Sequence, residues 1–391
     1  MKYEEVKSKG EKYLFQNYGR LDVAFEYGKG MYLYDAAGKQ YMDLVAGIAV
    51  NALGYAHPKW VSAMQEQVGK LCHVSNLYHI EEQALAAEAI ASVTPKGLDR
   101  VLFVNSGAEA NEAALKLAVR ATGRKKVLSA LNSFHGRTAG SLAATGQTKY
   151  QDTFQSLMNL ENFRYYDYGD AESVKKLIDK DTAAFIVEPI QGEGGVKTVD
   201  PEFFKAARDL CTDNGTVMII DEVQTGIGRT GKWFGIQNFG VEPDIISMAK
   251  ALGNGMPIGA IAAKEELAKV MTPGSHGTTF GGNPLVTASA YTTINIMKEE
   301  KLVENSYETG AYWRKALSSI KSDEIVQVRG YGLMTGIEMK EKANDFRKYC
   351  LEKGVLVNVC HGNTVRLIPP LIIGKEHCDV LTGLLKDFLG C

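Results

Sequence analysis

Met218-Ile219-Ile220-Asp221-Glu222-Val223-Gln224 and Asp244-Ile245-Ile246-Ser247-Met248-Ala249-Lys250 are the stretches whose reading decides the fold. Each is a short apolar run, rich in β-branched residues, that ends on polar side chains. That is the pattern of a strand buried on both faces of a parallel sheet. Such strands turn their carboxyl ends toward the crevice where open α/β sheets bind ligands. If the two are neighbours, the carboxylate of Asp221 and the amine of Lys250 share one cavity. The pair then suits imine chemistry on an aldehyde cofactor, with Lys250 as nucleophile and Asp221 beside a protonated pyridine nitrogen. Taken singly, each has an ordinary reading: a lysine at a strand end is usually solvated, and an aspartate there usually caps a turn.

Strand and helix patterns alternate from about residue 100 to 262, which predicts a mostly parallel sheet with helices on both faces. Val101–Val104 reads as a strand, Asn105-Ser106-Gly107-Ala108-Glu109-Ala110-Asn111 as a small-residue turn, and Glu112–Arg120 as a helix. A glycine turn between strand and helix aims free N–H groups at an anion and suits a phosphate, although Gly107 also serves as a plain turn residue. Neither GxxxxGK[ST] nor GxGxxG occurs, which speaks against nucleotide and dinucleotide sites. After the strand Lys126–Ala130, Phe134 is placed to stack on a planar ring and Arg137 to grip a carboxylate; the alternative is a core phenylalanine beside a solvated arginine. The strand Ala183–Val187 runs into a glycine-rich segment that lets the backbone pass near a ligand and in which Glu193 can point inward. Pro257–Ala262 reads as a strand running against the others, and Thr272–Pro284 as a shaped loop.

The flanks read differently. Residues 1–20 form a polar, partly helical arm, and 24–43 a two-stranded hairpin about an Ala-Gly turn. Helices are expected near 57–69, 81–92 and through 285–320. Strands near 326–328, 333–339, 355–359 and 364–368, with helices near 343–353 and 375–389, read as an α+β domain. Arg366, inside an apolar strand, is either exposed at an edge or kept for a carboxylate ligand. The expected segments are 1–50, joining the small domain; 51–285, the large domain; and 286–391, the C-terminal small domain.

With 45% hydrophobic residues, a chain of 391 can bury a sizeable core. A net charge of −2 gives no pull toward nucleic acid or anionic membranes. Six scattered cysteines with no CxxC predict reduced thiols in the cytoplasm and no metal site. No apolar run is long enough for a signal peptide or a membrane span.

NSGAEANEAALK (105–116), NSFHGRT (132–138), EPIQGEGG (188–195), DEVQTGIGRTG (221–231), SMAKALGNGMPIGA (247–260), SHGTTFGGNP (275–284) and VRLIPPL (365–371) occur in that order. With this set the chain resembles the class III aminotransferases, which depend on pyridoxal 5'-phosphate and have the type I PLP-dependent transferase fold. The resemblance covers nearly the whole chain. It implies that Lys250 joins the cofactor and shuttles the proton, that Asp221 keeps the ring nitrogen protonated, that Gln224 approaches the phenolic oxygen and that Phe134 stacks on the ring. It implies that Ser106, Gly107 and Ala108 hold the phosphate, with Thr279 reaching it from a neighbouring subunit of a homodimer. Arg366 would clamp the α-carboxylate of glutamate or 2-oxoglutarate, Arg137 the far carboxylate, and Glu193 would neutralise Arg366 while an ω-amine donor is bound. Thr278 would touch an acylated donor. Ile48, where ornithine-specific members carry tyrosine, would wall the acyl group. The implied reaction takes the ω-amino group of N2-acetylornithine to 2-oxoglutarate in arginine biosynthesis. Rival readings are ornithine, succinylornithine, acetyl-lysine or 4-aminobutyrate as donor, an aminomutase of the same fold, and a binding protein that has lost turnover.

Overall fold

The computed structural model describes residues 1–391. In chain order its strands are β1 (Phe25–Lys29), β2 (Tyr32–Asp35), β3 (Gln40–Asp43), β4 (Arg100–Val104), β5 (Lys126–Ala130), β6 (Phe163–Tyr166), β7 (Thr182–Val187), β8 (Val217–Asp221), β9 (Ile245–Met248), β10 (Gly259–Ala263), β11 (Ile325–Tyr331), β12 (Met334–Met339), β13 (Val355–Leu356), β14 (Asn358–Cys360) and β15 (Thr364–Leu367). The central sheet has seven strands in the order β4-β10-β9-β8-β7-β5-β6. β10 runs antiparallel to both its neighbours, and all other pairs are parallel. β8 and β9 are adjacent, with Asp221 opposite Ser247, so the carboxyl ends bearing Asp221 and leading to Lys250 are side by side.

Alternate residues of these strands feed two separate cores, as a sheet covered on both faces requires. Val127, Ala184, Ile186, Ile219 and Ile245 join a cluster of 16 buried residues with Ala110, Ala113, Ala114 and Leu117 of the Gly107–Thr122 helix. Small alanines on that helix face let it lie close to the sheet, which fixes where its amino end points. Leu128, Phe185, Met218, Ile220 and Ile246 face the opposite cluster of 60 residues, which runs on into the C-terminal region.

Two smaller four-stranded sheets flank the central one, β1-β2-β3-β13 and β11-β12-β15-β14. The expected single hairpin over 24–43 is two successive hairpins, because Gly30 takes a positive φ and turns the chain before Tyr32. The expected strand 355–359 is split, its first part pairing with β3 and its second with β15. β15 lies between β12 and β14, so Arg366 is in an interior strand and 1% exposed rather than at an edge. β6, not expected from the sequence, closes one side of the central sheet. No helix is long and apolar enough to cross a membrane.

Candidate active site

The carboxyl ends of β5, β7, β8 and β9 and the amino end of the Gly107–Thr122 helix surround a cavity of about 440 Å³. Ser106, Gly107, Ala108, Phe134, Arg137, Glu193, Asp221, Gln224 and Lys250 all line it. A cleft of about 750 Å³ lies at the other end of these strands, but its cations Arg208 and Lys264 are already paired with Asp244.

Ser106 caps the helix by accepting from the Glu109 N–H, and the N–H groups of Gly107 and Ala108 have no partner in the protein. Those free donors sit where the helix dipole is positive. A Cβ at residue 107 would stand 2.7 Å from Val223 Cγ1, so only glycine lets the turn close against the loop after β8.

Asp221 is 4% exposed, and its acceptor capacity is used with care. Oδ1 accepts from the Val223 N–H at 3.0 Å; Oδ2 accepts from Asn111 Nδ2 at 2.7 Å and lies 2.7 Å from His135 Nδ1. Ser247 Oγ in turn donates to Asn111 Oδ1 at 2.6 Å. With a carboxylate as its partner, the His135 ring is assigned the proton on Nδ1, and its buried Nε2 has no partner.

Lys250 follows β9 with a φ of 44°, a conformation a non-glycine residue rarely adopts and one that concentrates at functional sites. Its ammonium makes no hydrogen bond. Desolvation, then repulsion from Arg366, lowers its pKa below the ordinary lysine value. An unpaired, pKa-depressed amine in a cavity is a candidate nucleophile.

Arg366 Nη1 donates to Glu193 Oε1 at 2.6 Å and to Gln224 Oε1 at 3.2 Å, and Nε donates to Asn358 Oδ1. Burial pushes the Glu193 carboxyl upward, but the charge and hydrogen bond of Arg366 outweigh it and hold it below the usual range. Arg137, by contrast, is exposed and has no hydrogen bond or ion pair in the chain.

Four expected residues fall outside this lining: Arg366, which reaches it through Glu193 and Gln224, and three others. Thr278 is half-buried and accepts from Asn105 Nδ2 at 2.8 Å, and Thr279 is exposed. Ile48 is 40% exposed within a left-handed turn in which Ala46, Gly47, Ile48 and Ala49 all have positive φ, and Val50 lines the cavity instead. Leu77 and Phe280, 87% and 61% exposed, leave an apolar face on the side of Thr279.

Two further carboxyls were not anticipated. Glu188 accepts from the N–H groups of Phe134 and Gly192, and Glu222 from those of Gly235 and Ile236; burial pushes both up to about 7. A folded-state pKa above the unfolded value means the folded form holds more protons, so these groups favour folding fully below about pH 4.5 and lose that contribution as pH rises through 7. Glu188→Gln in the cofactor-loaded protein should therefore shrink the fall in Tm between pH 5 and pH 8. A fall as steep as that of the parent protein would show that Glu188 is ionised throughout.

The cavity fits pyridoxal phosphate: free helix N–H groups for a phosphate, a buried carboxylate for a ring nitrogen, and an unpaired amine for an aldehyde. No group of three His, Cys, Asp or Glu side chains is arranged to hold a metal ion. The model of the family described as Aminotransferase class-III matches residues 13–389. The acetylornithine aminotransferase of Methanosarcina mazei is 50% identical over 385 residues, 98% of this chain and 96% of that protein. That of Methanosarcina acetivorans is 48% identical, over 99% and 96%. Among solved structures, ornithine aminotransferase from Toxoplasma gondii superposes with a TM-score of 0.94 at 33% identity, covering 100% of this chain and 96% of that one. A second structure of the Toxoplasma gondii enzyme, crystallised in the presence of oxidized glutathione, has a TM-score of 0.92 at 33% identity over 99% and 94% and is described with partial occupancy of PLP at its active site.

Proposed function

Because the chain belongs to the class III aminotransferases, we propose that it transfers the ω-amino group of N2-acetylornithine to 2-oxoglutarate, giving N-acetylglutamate 5-semialdehyde and glutamate, as in arginine biosynthesis. It does so in the cytoplasm, as a homodimer. Pyridoxal phosphate, the cofactor of this class, supplies when bound an aldehyde carbon and an electron-accepting ring. The observation that carries the reading is the Arg366–Glu193 ion pair, whose Glu193 lines one cavity with Arg137.

The two substrates differ in where their carboxylates lie. Glutamate and 2-oxoglutarate have one on the reacting carbon and one at the far end; acetylornithine has none on the reacting carbon. For the first pair, Arg366 exchanges Glu193 for the α-carboxylate while Arg137 takes the far one. For acetylornithine, Glu193 stays on Arg366, which spares the site a buried unpaired cation, and Arg137 takes the single carboxylate. Lys250 Nζ, its pKa lowered, removes the proton from the reacting carbon and returns it on the other side of the C–N bond. Asp221, supported by Asn111 and His135, would keep a proton on the cofactor's ring nitrogen. Phe134, whose N–H donates to Glu188, would lie against the cofactor ring, and the free N–H groups of Gly107 and Ala108 would hold its phosphate. Thr279 serves the partner subunit's phosphate across the face bearing Leu77 and Phe280.

The preference itself is tested by kcat/KM for N2-acetylornithine, ornithine, succinylornithine, acetyl-lysine and 4-aminobutyrate; a higher value for 4-aminobutyrate would overturn the donor. Glu193→Ala should separate the half-reactions. Without its only carboxylate partner, Arg366 stands open to an α-carboxylate, so the glutamate half-reaction holds or improves. The acetylornithine half-reaction should fall ~10- to 100-fold, the equivalent of one charge-assisted hydrogen bond. Equal losses in both would rule out the exchange of partners.

A further inference from the structure

Arg137 is unusual among the charged groups of the cavity in how it is held. Its guanidinium carbon lies 4.1 Å from the centroid of the Tyr150 ring and 5.5 Å from that of Phe134. The two rings meet edge to face, with centroids 5.9 Å apart at 86°. Tyr150 sits in the short Thr148–Gln151 helix, half-buried, and Lys149 Nζ is also 4.8 Å from its ring. A hydrogen-bonding partner would fix a guanidinium by occupying some of its five N–H donors, which point outward in its plane. An aromatic face attracts the cation through its quadrupole from above that plane and leaves every donor free.

From this geometry we propose that Tyr150 is a positioning residue for the far-carboxylate clamp: its ring face orients Arg137 for two-pronged binding of a carboxylate, and its edge contact ties that orientation to Phe134. The inference rests on the proposed role of Arg137. Tyr150 touches no reacting atom. Its contribution is to present a preorganised fork to substrates with a carboxylate remote from the reacting carbon.

The test compares Tyr150→Phe and Tyr150→Leu, with Arg137→Ala as reference, in single-turnover half-reactions of the loaded enzyme with glutamate and with alanine. Alanine has the α-carboxylate but no far one. Tyr150→Leu should lower kcat/KM for glutamate ~10-fold, mainly through KM, and leave alanine within about threefold, following the attraction an arginine loses with its aromatic face. Tyr150→Phe keeps the ring and should stay near the parent on both. If Tyr150→Leu lowers glutamate and alanine alike, or if Tyr150→Phe is as impaired as Tyr150→Leu, the positioning role is wrong. If Arg137→Ala itself leaves the glutamate-to-alanine ratio unchanged, the clamp assigned under the proposed function fails, and the fault lies there rather than with Tyr150.

Discussion

Lys250→Ala is expected to remove turnover by at least ~10²- to 10⁴-fold, the range that a positioned proton-transferring side chain supplies. The substitution also deletes the one amine in the cavity free of any hydrogen bond. Lys250→Arg is the sharper control. It keeps a cation near Asp221 and Glu193 but replaces a group that can lose its proton by one that stays charged, so it should be as inactive as alanine. The fold should survive both changes, because no hydrogen bond or salt bridge depends on this side chain. Borohydride reduction of the loaded parent protein, followed by peptide mapping, should leave the cofactor on the peptide containing Lys250. A label elsewhere, or activity within tenfold of the parent for Lys250→Ala, would defeat the assignment.

Asp221→Asn should lower kcat by ~10²- to 10³-fold, as when one preorganised group facing a developing charge is removed. Shape is preserved and charge is lost, so the effect reads electrostatics rather than packing. Three donors converge on this side chain, from Val223, Asn111 and His135. An amide offers a single acceptor oxygen to them, so part of the loss comes from turning an N–H donor against another donor. KM for 2-oxoglutarate should change little, because Arg366 and Arg137 are untouched. A kcat within threefold of the parent, at equal cofactor content, would remove Asp221 from its role.

The sequence was most legible where chemistry and periodicity coincide. Apolar runs that end on Asp221 or lead to Lys250 have few readings other than buried parallel strands, and those strands are in fact neighbours. The turn at Gly107 is readable as a small-residue run between a strand and a helix pattern, whereas the Val223 side chain that requires glycine there is not. What stayed hidden depends on contacts between residues far apart in the chain. His135 is within a quoted motif, yet nothing local says that its ring turns to Asp221, and Asn111, which reads as the end of a turn, lies inside the Gly107–Thr122 helix and donates to Asp221. Arg366 illustrates the same limit: strand pattern alone left it between edge and interior, and only the pairing of β15 with both β12 and β14 decides. Tyr150 lies in a single helical turn too short to carry a periodic signal. Thr278, Thr279 and Ile48 lie outside the lining of one chain's cavity.

The pairing of β3 with β13, Met42 beside Val355, bears on how this enzyme is made. Ribosomes deliver residues in order at roughly 5–20 per second, so the early hairpins wait for roughly 15–60 s before the strand that completes their sheet emerges. Throughout that interval β3 offers an open edge of unsatisfied backbone groups to any extended segment nearby. Nascent copies on crowded polysomes therefore need either a holding chaperone or rapid docking of the hairpins onto the growing central sheet to avoid pairing with one another.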